Sequence, residues 1–275
     1  MSDKRHPWFL PTSIGLSLLV ASLVTITRLS IGPPSPATPP SEMAFIPAGE
    51  FTMGSPNGHP DELPVHPVHL EPFHIDRYEV TNEQYLQFIQ SVTGLCEDHV
   101  CLDRKADNPD SHIVYQNGRY TVEAGYEQHP VTLVSWYGAQ AYCQYQGKRL
   151  PAEAEWEKAA RGPDGRTYPW GDVVDRARLN AGCRVGDTTA VGSYPGGASP
   201  YGVYDLAGNV WEWTADWYRA YPDSSYHSPF FGDRYKVLRG GSWNHPDSDA
   251  RTTQRDLAHP ARRIRVVGFR CARSP

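Results

Sequence analysis

The residues best suited to metal chemistry lie in one C-terminal segment, His245-Pro246-Asp247-Ser248-Asp249. An imidazole and two carboxylates this close together could bind a hard or borderline metal ion. The alternative is a polar loop that caps a turn, which is the commoner use of Asp and Ser in such a position. We favour the loop.

A second group of possible ligands contains three histidines, His59, His66 and His69. Prolines are interspersed among them, and proline fixes φ and removes a backbone donor. This composition favours a rigid extended segment over a metal site.

The five cysteines are too few for a disulfide-dense scaffold, and their odd number leaves at least one unpaired within the chain. Cys96 and Cys101 are close in sequence and lie in a polar segment. In an oxidising compartment we expect them to form a local disulfide.

The N-terminal sequence predicts a membrane anchor. Lys4 and Arg5 precede an uncharged apolar run from Trp8 to Ile26, long enough to cross a hydrocarbon core of ~30 Å as a helix. The flanking charges favour a cytoplasmic N-terminus and a periplasmic or extracellular domain, whereas a cleaved signal peptide is the alternative. The predicted parts are an anchor (1–30), a Pro-rich tether (31–42) and one domain (43–275).

The composition predicts a compact body rich in loops. The chain has 24 glycines and 25 prolines, together with 8 tryptophans, 16 tyrosines and 8 phenylalanines. The glycines and prolines predict many turns, and the aromatic residues supply the apolar surface that disordered chains lack. A net charge of −5 excludes a globally basic nucleic-acid binder.

Hydrophobic patterning predicts short strands followed by three helices. The strands are expected within residues 45–54 and at 65–70 and 73–76, where apolar and polar residues alternate. The expected helix starts and ends are, in order, Thr81 to Gly94, Ser135 to Gly147 and Pro151 to Gly162. Residues 95–128 are expected to form a surface excursion, and irregular backbone is expected after residue 162.

Several motifs resemble the formylglycine-generating enzyme family, also called the sulfatase-modifying factor domain. In chain order they are Phe51–Gly54, Asp76–Asn82, Pro130–Trp136, Gly147–Glu157, Tyr201–Trp213, Arg239–Trp243 and Gly268–Cys271. The resemblance covers roughly residues 43–273. It implies an α+β class, a loop-rich variant of the C-type lectin fold with two or three helices and small twisted sheets.

The resemblance implies an active-site groove but not the family's copper chemistry. The groove positions correspond to Arg239, Ser242, Trp243 and His245. The family's enzymes hold copper with two cysteines, and those positions are His245 and Ala250 here. One imidazole does not hold Cu(I) as two soft thiolates do, so we expect neither copper nor formylglycine generation.

The resemblance further implies a disulfide and two calcium sites. It pairs Cys143 with Cys271 and leaves Cys183 over, either buried or as a minor free thiol. One calcium site would use Asn180, Ala181, Asp187 and Thr189. The other would use Ala207, Gly208, Val210 and Glu212. For Glu212 the alternative is a buried ion pair with an arginine.

Five arginines near the C-terminus could bind a phosphate or a carboxylate, although pairing with acidic side chains of the chain is the simpler expectation. They are Arg251, Arg255, Arg262, Arg263 and Arg265.

Two functions from different classes follow. The first is a membrane-anchored, extracytoplasmic binding or accessory domain that has lost the copper pair and binds a protein or peptide. The second is a divergent oxidoreductase acting on an exported peptide or a small molecule. The missing thiolates favour the first.

Overall fold

The computed structural model describes residues 43–92, 95–96 and 99–275. The predicted anchor and tether lie outside these residues. Within them, no helix has both the length and the apolar character that a membrane span requires.

In the part of the chain that the structure describes, three α-helices and thirteen short strands are joined by long stretches of coil. The helices are α1 (Asn82–Ile89), α2 (Trp136–Tyr145) and α3 (Glu153–Arg161). Before α1 lie β1 (Met43–Ile46), β2 (Gly49–Met53), β3 (His66–Leu70) and β4 (Phe73–Asp76). Between α1 and α2 lie β5 (Leu95–Cys96), β6 (His99–Val100), β7 (Ile113–Gln116) and β8 (Arg119–Val122). After α3 lie β9 (Trp211–Trp217), β10 (Lys236–Arg239), β11 (Arg255–Ala258), β12 (Val267–Gly268) and β13 (Ala272–Arg273).

These strands form two main sheets and three two-stranded ribbons. The first sheet has the order β1-β4-β13, and both outer strands run antiparallel to β4. The second sheet has the order β11-β10-β9-β12, in which only β12 runs parallel to its neighbour β9. The ribbons are β2-β3, β5-β6 and β7-β8. This small-sheet α+β arrangement agrees with the predicted class.

The helix starts follow from capping chemistry. The Thr81 side chain accepts a hydrogen bond from the Gln84 backbone N–H, and the Gln84 side-chain oxygen accepts one from the Thr81 backbone N–H, a reciprocal capping box. Ser135 caps α2 through the Gly138 N–H. Gly147 and Gly162 follow α2 and α3 with φ of 66° and 68°, a left-handed conformation that glycine adopts without strain. The sequence predicted the starts of all three helices to within two residues.

Two expectations about the backbone were wrong. Helix α1 ends at Ile89, well before the predicted stop at Gly94. The region after residue 162, predicted to be irregular, contains the four-stranded sheet. Strand β10 is buried at every position and β9 at its first four, so neither shows the alternation by which strands were sought.

The largest apolar cluster lies between α1, α2 and the four-stranded sheet. Tyr85, Phe88, Trp213 and Phe269 are almost fully buried within it. A disulfide between Cys143 of α2 and Cys271 lies within this cluster, and a second disulfide joins Cys96 to Cys101. Both pairings were predicted.

Candidate functional site at Ser242 and His245

The loop that carries the candidate site follows strand β10. Gly240 and Gly241 leave the strand with φ of 101° and 74°. A Cβ at Gly241 would lie 2.8 Å from the Asp249 carbonyl oxygen, closer than a side chain tolerates. The loop therefore needs glycine there to bring residues 242–245 back against the Trp211 strand.

Ser242 and His245 form the centre of this site. The Ser242 Oγ lies 2.6 Å from His245 Nδ1 and 3.0 Å from Asn244 Oδ1. The Trp211 indole meets the imidazole edge-on, with ring centroids 5.6 Å apart. Because the hydroxyl has one proton for two acceptors, it couples the tautomer of His245 to Asn244. His245 is half-buried, whereas Ser242 is buried.

The second copper position does not face this site. Ala250 is 1 % exposed and packs with Tyr168, Leu179, Ala181 and Ala207. An apolar methyl in an apolar cluster offers no ligand. The residues present therefore do not fit a thiolate-held Cu(I) ion.

The segment around Cys183 lies alongside the site. The Gly182 N–H donates to the His245 carbonyl at 2.7 Å, and the Cys183 N–H donates to the Trp243 carbonyl at 2.7 Å. Cys183 is the chain's free thiol and is exposed. It was predicted to be buried or a minor free thiol, and its position beside residues 243–245 could not be read from sequence separation.

The candidate ligand run at His245–Asp249 is an ion-paired loop. Asp247 accepts hydrogen bonds from Arg184 at 2.6 Å and Arg176 at 2.7 Å. Burial raises the pKa of Asp247, but the bonds from these two arginines outweigh it, and the net pKa is lowered. Among the residues that the structure describes, no three His, Cys, Asp or Glu side chains are arranged to hold a metal.

Arg239 was predicted in the groove and lies instead in the protein interior. Its guanidinium contacts Glu153 at 3.1 Å and Glu157 at 2.5 Å and is fully buried. Arg255 pairs with Glu153 at 2.7 Å, and Arg161 pairs with Glu157 at 2.9 Å. We call these five residues the Arg239 cluster. Three guanidinium groups here face two carboxylates.

Glu212 belongs to a second buried group of charges. Both of its carboxylate oxygens accept hydrogen bonds from Arg270 at 2.7 Å, so the alternative expectation of an ion pair holds. Glu79 and Asp205 lie close enough to interact electrostatically with this pair. We call the four residues the Arg270 cluster, in which one guanidinium faces three carboxylates.

Burial is the main cause of the raised pKa values of two carboxyl groups in the Arg270 cluster. Burial raises the pKa of Asp205 to about 6, and the Glu212 charge adds to the rise. Burial, then the charges of Asp205 and Glu212, raise the pKa of Glu79 well above its usual range. Glu79 still accepts hydrogen bonds from the Asn209 side chain and the Val210 N–H. Neither residue was singled out from the sequence, although both lie within the family motifs.

The two predicted calcium segments lie side by side. The Asn180 carbonyl accepts from the Asn209 N–H at 2.8 Å, and the Thr189 carbonyl accepts from the Asn209 side chain at 3.3 Å. The Asp187 carboxylate accepts from Tyr126 at 2.9 Å and from the Thr188 N–H at 2.7 Å. Ala207 and Val210 are buried. Most oxygens of the first predicted set therefore already have protein partners.

Most of the C-terminal arginines pair with acidic side chains of the chain, which was the simpler of the two expectations. Their carboxylate partners are Glu62 for Arg251, Glu153 for Arg255, Asp103 for Arg263 and Asp110 for Arg265.

Comparison with known proteins places these observations in a family. The family described as "Sulfatase-modifying factor enzyme 1-like domain" matches residues 31–275. The chain is 41 % identical over 264 residues to "Serine/threonine-protein kinase Pkn1" of Chlamydia trachomatis, which covers 93 % of this chain and 41 % of the kinase. It thus spans about two fifths of that relative's length.

Other relatives match over most of their length. "Formylglycine-generating enzyme" of Streptomyces coelicolor is 35 % identical and covers 87 % of this chain and 92 % of its own length. "Inactive C-alpha-formylglycine-generating enzyme 2" of Bos taurus is 35 % identical, with 84 % and 87 % covered. The solved structure of PvdO from Pseudomonas aeruginosa superposes with a TM-score of 0.65 at 30 % identity and covers 85 % and 94 %. The chain therefore belongs to the sulfatase-modifying factor enzyme 1-like domain family.

Proposed function

We propose that this domain is a non-catalytic binding or accessory module, anchored to a membrane by its N-terminal segment and placed outside the cytoplasm. The observation that carries the proposal is the pair of residues at the copper positions. His245 is held by Ser242, and Ala250 is buried among apolar side chains. The family's oxidation needs two thiolates there.

The chain's other cysteines do not restore the lost pair. Four of the five are joined in disulfides, and only Cys183 is free. A cysteine in a disulfide has no thiolate to donate. The bovine relative with the word "inactive" in its name is a precedent for a member of this family without the activity.

A protein or peptide partner suits a domain of this kind. The chlamydial relative is named a kinase, and this chain matches less than half of it. We infer that the domain serves larger proteins as a recognition module, with the surface beside Asn244 and His245 facing the partner. His245 and Asn244 are half-buried, so each retains an accessible edge.

The catalytic part of the proposal is tested with a sulfatase-type cysteine peptide, copper and O₂. We expect no conversion of the peptide cysteine to formylglycine, with the Streptomyces enzyme as the positive control. Metal analysis of the purified chain should find no stoichiometric redox metal. A copper-dependent mass change on the peptide, abolished by His245→Ala, would overturn the proposal.

The partner is tested by site-specific photo-crosslinking in native membranes. A crosslinker at Asn244 should capture one defined exported protein, whereas the same group at Val173, which is 76 % exposed, should not. Equal capture from both positions would contradict a binding surface at the site.

A divergent oxidoreductase is the second candidate. The observation in its favour is the hydrogen-bonded group of Trp211, Ser242 and His245, a polar site with a half-buried imidazole. A stoichiometric redox metal that is lost in His245→Ala, together with turnover of an exported peptide, would favour this candidate over the first.

We also propose a structural calcium ion near the second predicted segment, Ala207 to Glu212. Support comes from the Arg270 cluster, in which three buried carboxylates have one arginine. Calcium binds carboxylate and carbonyl oxygens and would offset this charge. Glu212 is already held by Arg270. The groups that would hold the ion are therefore Glu79, Asp205 and the carbonyls of this segment.

A further inference from the structure

The loop between β9 and β10, residues 218–235, carries a connected group of aromatic side chains. We call it the aromatic loop. The ring centroids of Tyr226 and Phe231 lie 5.7 Å apart, and those of Phe231 and Tyr218 lie 5.0 Å apart. Phe230 lies 5.9 Å from Tyr235. The Tyr218 N–H donates to the Tyr235 carbonyl at 2.7 Å, so the two groups of rings form one cluster.

Two rings of this cluster remain largely in water. Phe230 is 50 % exposed and Tyr226 is 38 % exposed, and Phe231 and Tyr235 are half-buried beside them. Exposed aromatic side chains grouped in this way mark a surface that another body covers. Phenylalanine and tyrosine also suit the boundary between water and lipid, where the ring is buried while the tyrosine hydroxyl stays hydrated.

The charges of the aromatic loop cancel. Arg219 and Asp233 form an exposed ion pair with each other. The Arg234 guanidinium lies 5.2 Å from the centre of the Tyr235 ring, and the exposed Asp223 carries the opposite charge. A loop without net charge selects neither a polyanion nor a polycation. The rings must therefore supply the attraction, which favours a neutral surface such as a zwitterionic lipid bilayer.

The chain that precedes the described residues indicates how close a bilayer lies. The predicted tether, residues 31–42, is rich in proline and in the extended form of such segments reaches about 37 Å, at ~3.1 Å per residue. A globular domain of this length is about 45 Å across. An anchored domain is thus held near the bilayer, but the tether allows more than one face to turn towards lipid. The chemistry of the domain surface decides which face does so.

We propose that the aromatic loop docks on the bilayer that holds the anchor, with Phe230 and Tyr226 in the interfacial layer and Arg234 among the lipid phosphates. This inference rests on the membrane anchoring proposed above and adds to it the face of the domain that contacts lipid. Docking needs no anionic lipid, because the loop is neutral.

The experiment measures how close the aromatic loop lies to lipid in the full chain. Cys183→Ser removes the free thiol, and the fluorophore NBD is attached to His227→Cys, an exposed position between Tyr226 and Phe230 in sequence. The same label at Val173→Cys, a position that is 76 % exposed, is the reference. In phosphatidylcholine vesicles that contain a nitroxide-headgroup lipid, we expect about threefold stronger quenching at position 227 than at position 173.

Two variants connect the quenching to the rings. Phe230→Ser combined with Tyr226→Ser should reduce quenching at position 227 to the level at position 173. If the double variant fails to fold, Phe230→Ser alone should reduce it about twofold. Phe45→Ser, which removes a phenylalanine that is 56 % exposed on β1, is the matched control and should leave the quenching unchanged. Thermal melting shows which variants are folded.

Flotation of the vesicles separates this inference from the anchoring on which it rests. A chain that floats with the vesicles but is quenched equally at both positions would overturn the docking and leave the anchor in place. A chain that does not float would overturn both. Quenching at position 227 that persists in the folded ring variants, or that appears only with anionic lipid, would refute docking through the aromatic loop.

Discussion

The Arg239 cluster and the Arg270 cluster solve the same problem of buried charge in different ways. The first surrounds two carboxylates with three guanidinium groups, so each glutamate has more than one partner. The second gives three carboxylates one guanidinium, and both oxygens of Glu212 use it. The difference teaches that a cluster with surplus arginines tolerates the loss of one, whereas a cluster with a single arginine depends on it.

The largest expected effect is the loss of that single arginine. Arg270→Met should lower the free energy of unfolding by about 5 kcal/mol, and Arg239→Met by about 3 kcal/mol, because breaking a buried pair leaves a charge uncompensated. Urea denaturation measures both. Arg262→Met is the control and should change stability by less than ~0.5 kcal/mol.

If Arg270→Met fails to fold, Arg270→Met/Glu212→Gln keeps the comparison testable. The double variant removes the stranded carboxylate and should recover part of the stability. An equal or larger cost for Arg239→Met would contradict the distinction between the clusters.

The second effect concerns the covalent bond next to Arg270. Cys271 follows it directly and is joined to Cys143 across 128 residues of sequence. Replacing both cysteines by alanine should cost about 4–5 kcal/mol, whereas replacing Cys96 and Cys101 should cost about 2 kcal/mol, since stabilisation grows with loop length in the chain-entropy model. Denaturation of the two double variants decides. Similar losses from both would contradict the expected dependence on loop length.

The third effect is the part of the pH dependence of stability that comes from Asp205 in the Arg270 cluster. The folded pKa of Asp205 is about 6, against about 3.9 in an unfolded chain. Because the folded state holds this proton more tightly, stability is highest below pH ~4 for this group and falls by about 2–3 kcal/mol as pH rises to ~6. Asp205→Asn should flatten that part of the curve. An unchanged slope in the variant would assign the titration to another group.

The smallest effect is the response to calcium. If the ion offsets the charge of the Arg270 cluster, calcium at ten times its dissociation constant should stabilise the fold by about 1.4 kcal/mol. Asp205→Asn should abolish this gain, and Arg239→Met should retain it. Identical melting temperatures of the unaltered chain in calcium and in chelator would show that calcium does not stabilise this domain.

The local structure of this domain could be read from its sequence to a large extent. Thr81 and Ser135 indicated helix starts and Gly162 indicated a helix end, because capping depends on interactions within a few residues. The family motifs implied the Cys143–Cys271 pairing, and the structure confirms it. The four-stranded sheet was missed because β10 and the first four residues of β9 are buried on both faces and carry no alternating pattern.

The site was harder to predict because its groups come from distant parts of the chain. Arg239 belongs to the same motif as Ser242, yet its partners lie on α3, more than 80 residues earlier. Among the described residues, no acceptor reaches the indole N–H of Trp243. No spacing along the sequence encodes such an absence.

The three-stranded sheet has a consequence for how this fold is assembled into longer proteins. Strands β1 and β13, the first and last of the described domain, flank the same strand β4. With neighbouring strands ~4.8 Å apart, the two ends lie on the order of 10 Å from each other. A host protein can therefore accept the domain within a surface loop whose two flanking residues lie about 10 Å apart. A circular permutant with a short glycine-rich bridge from Arg273 to Met43 should keep the sheet intact.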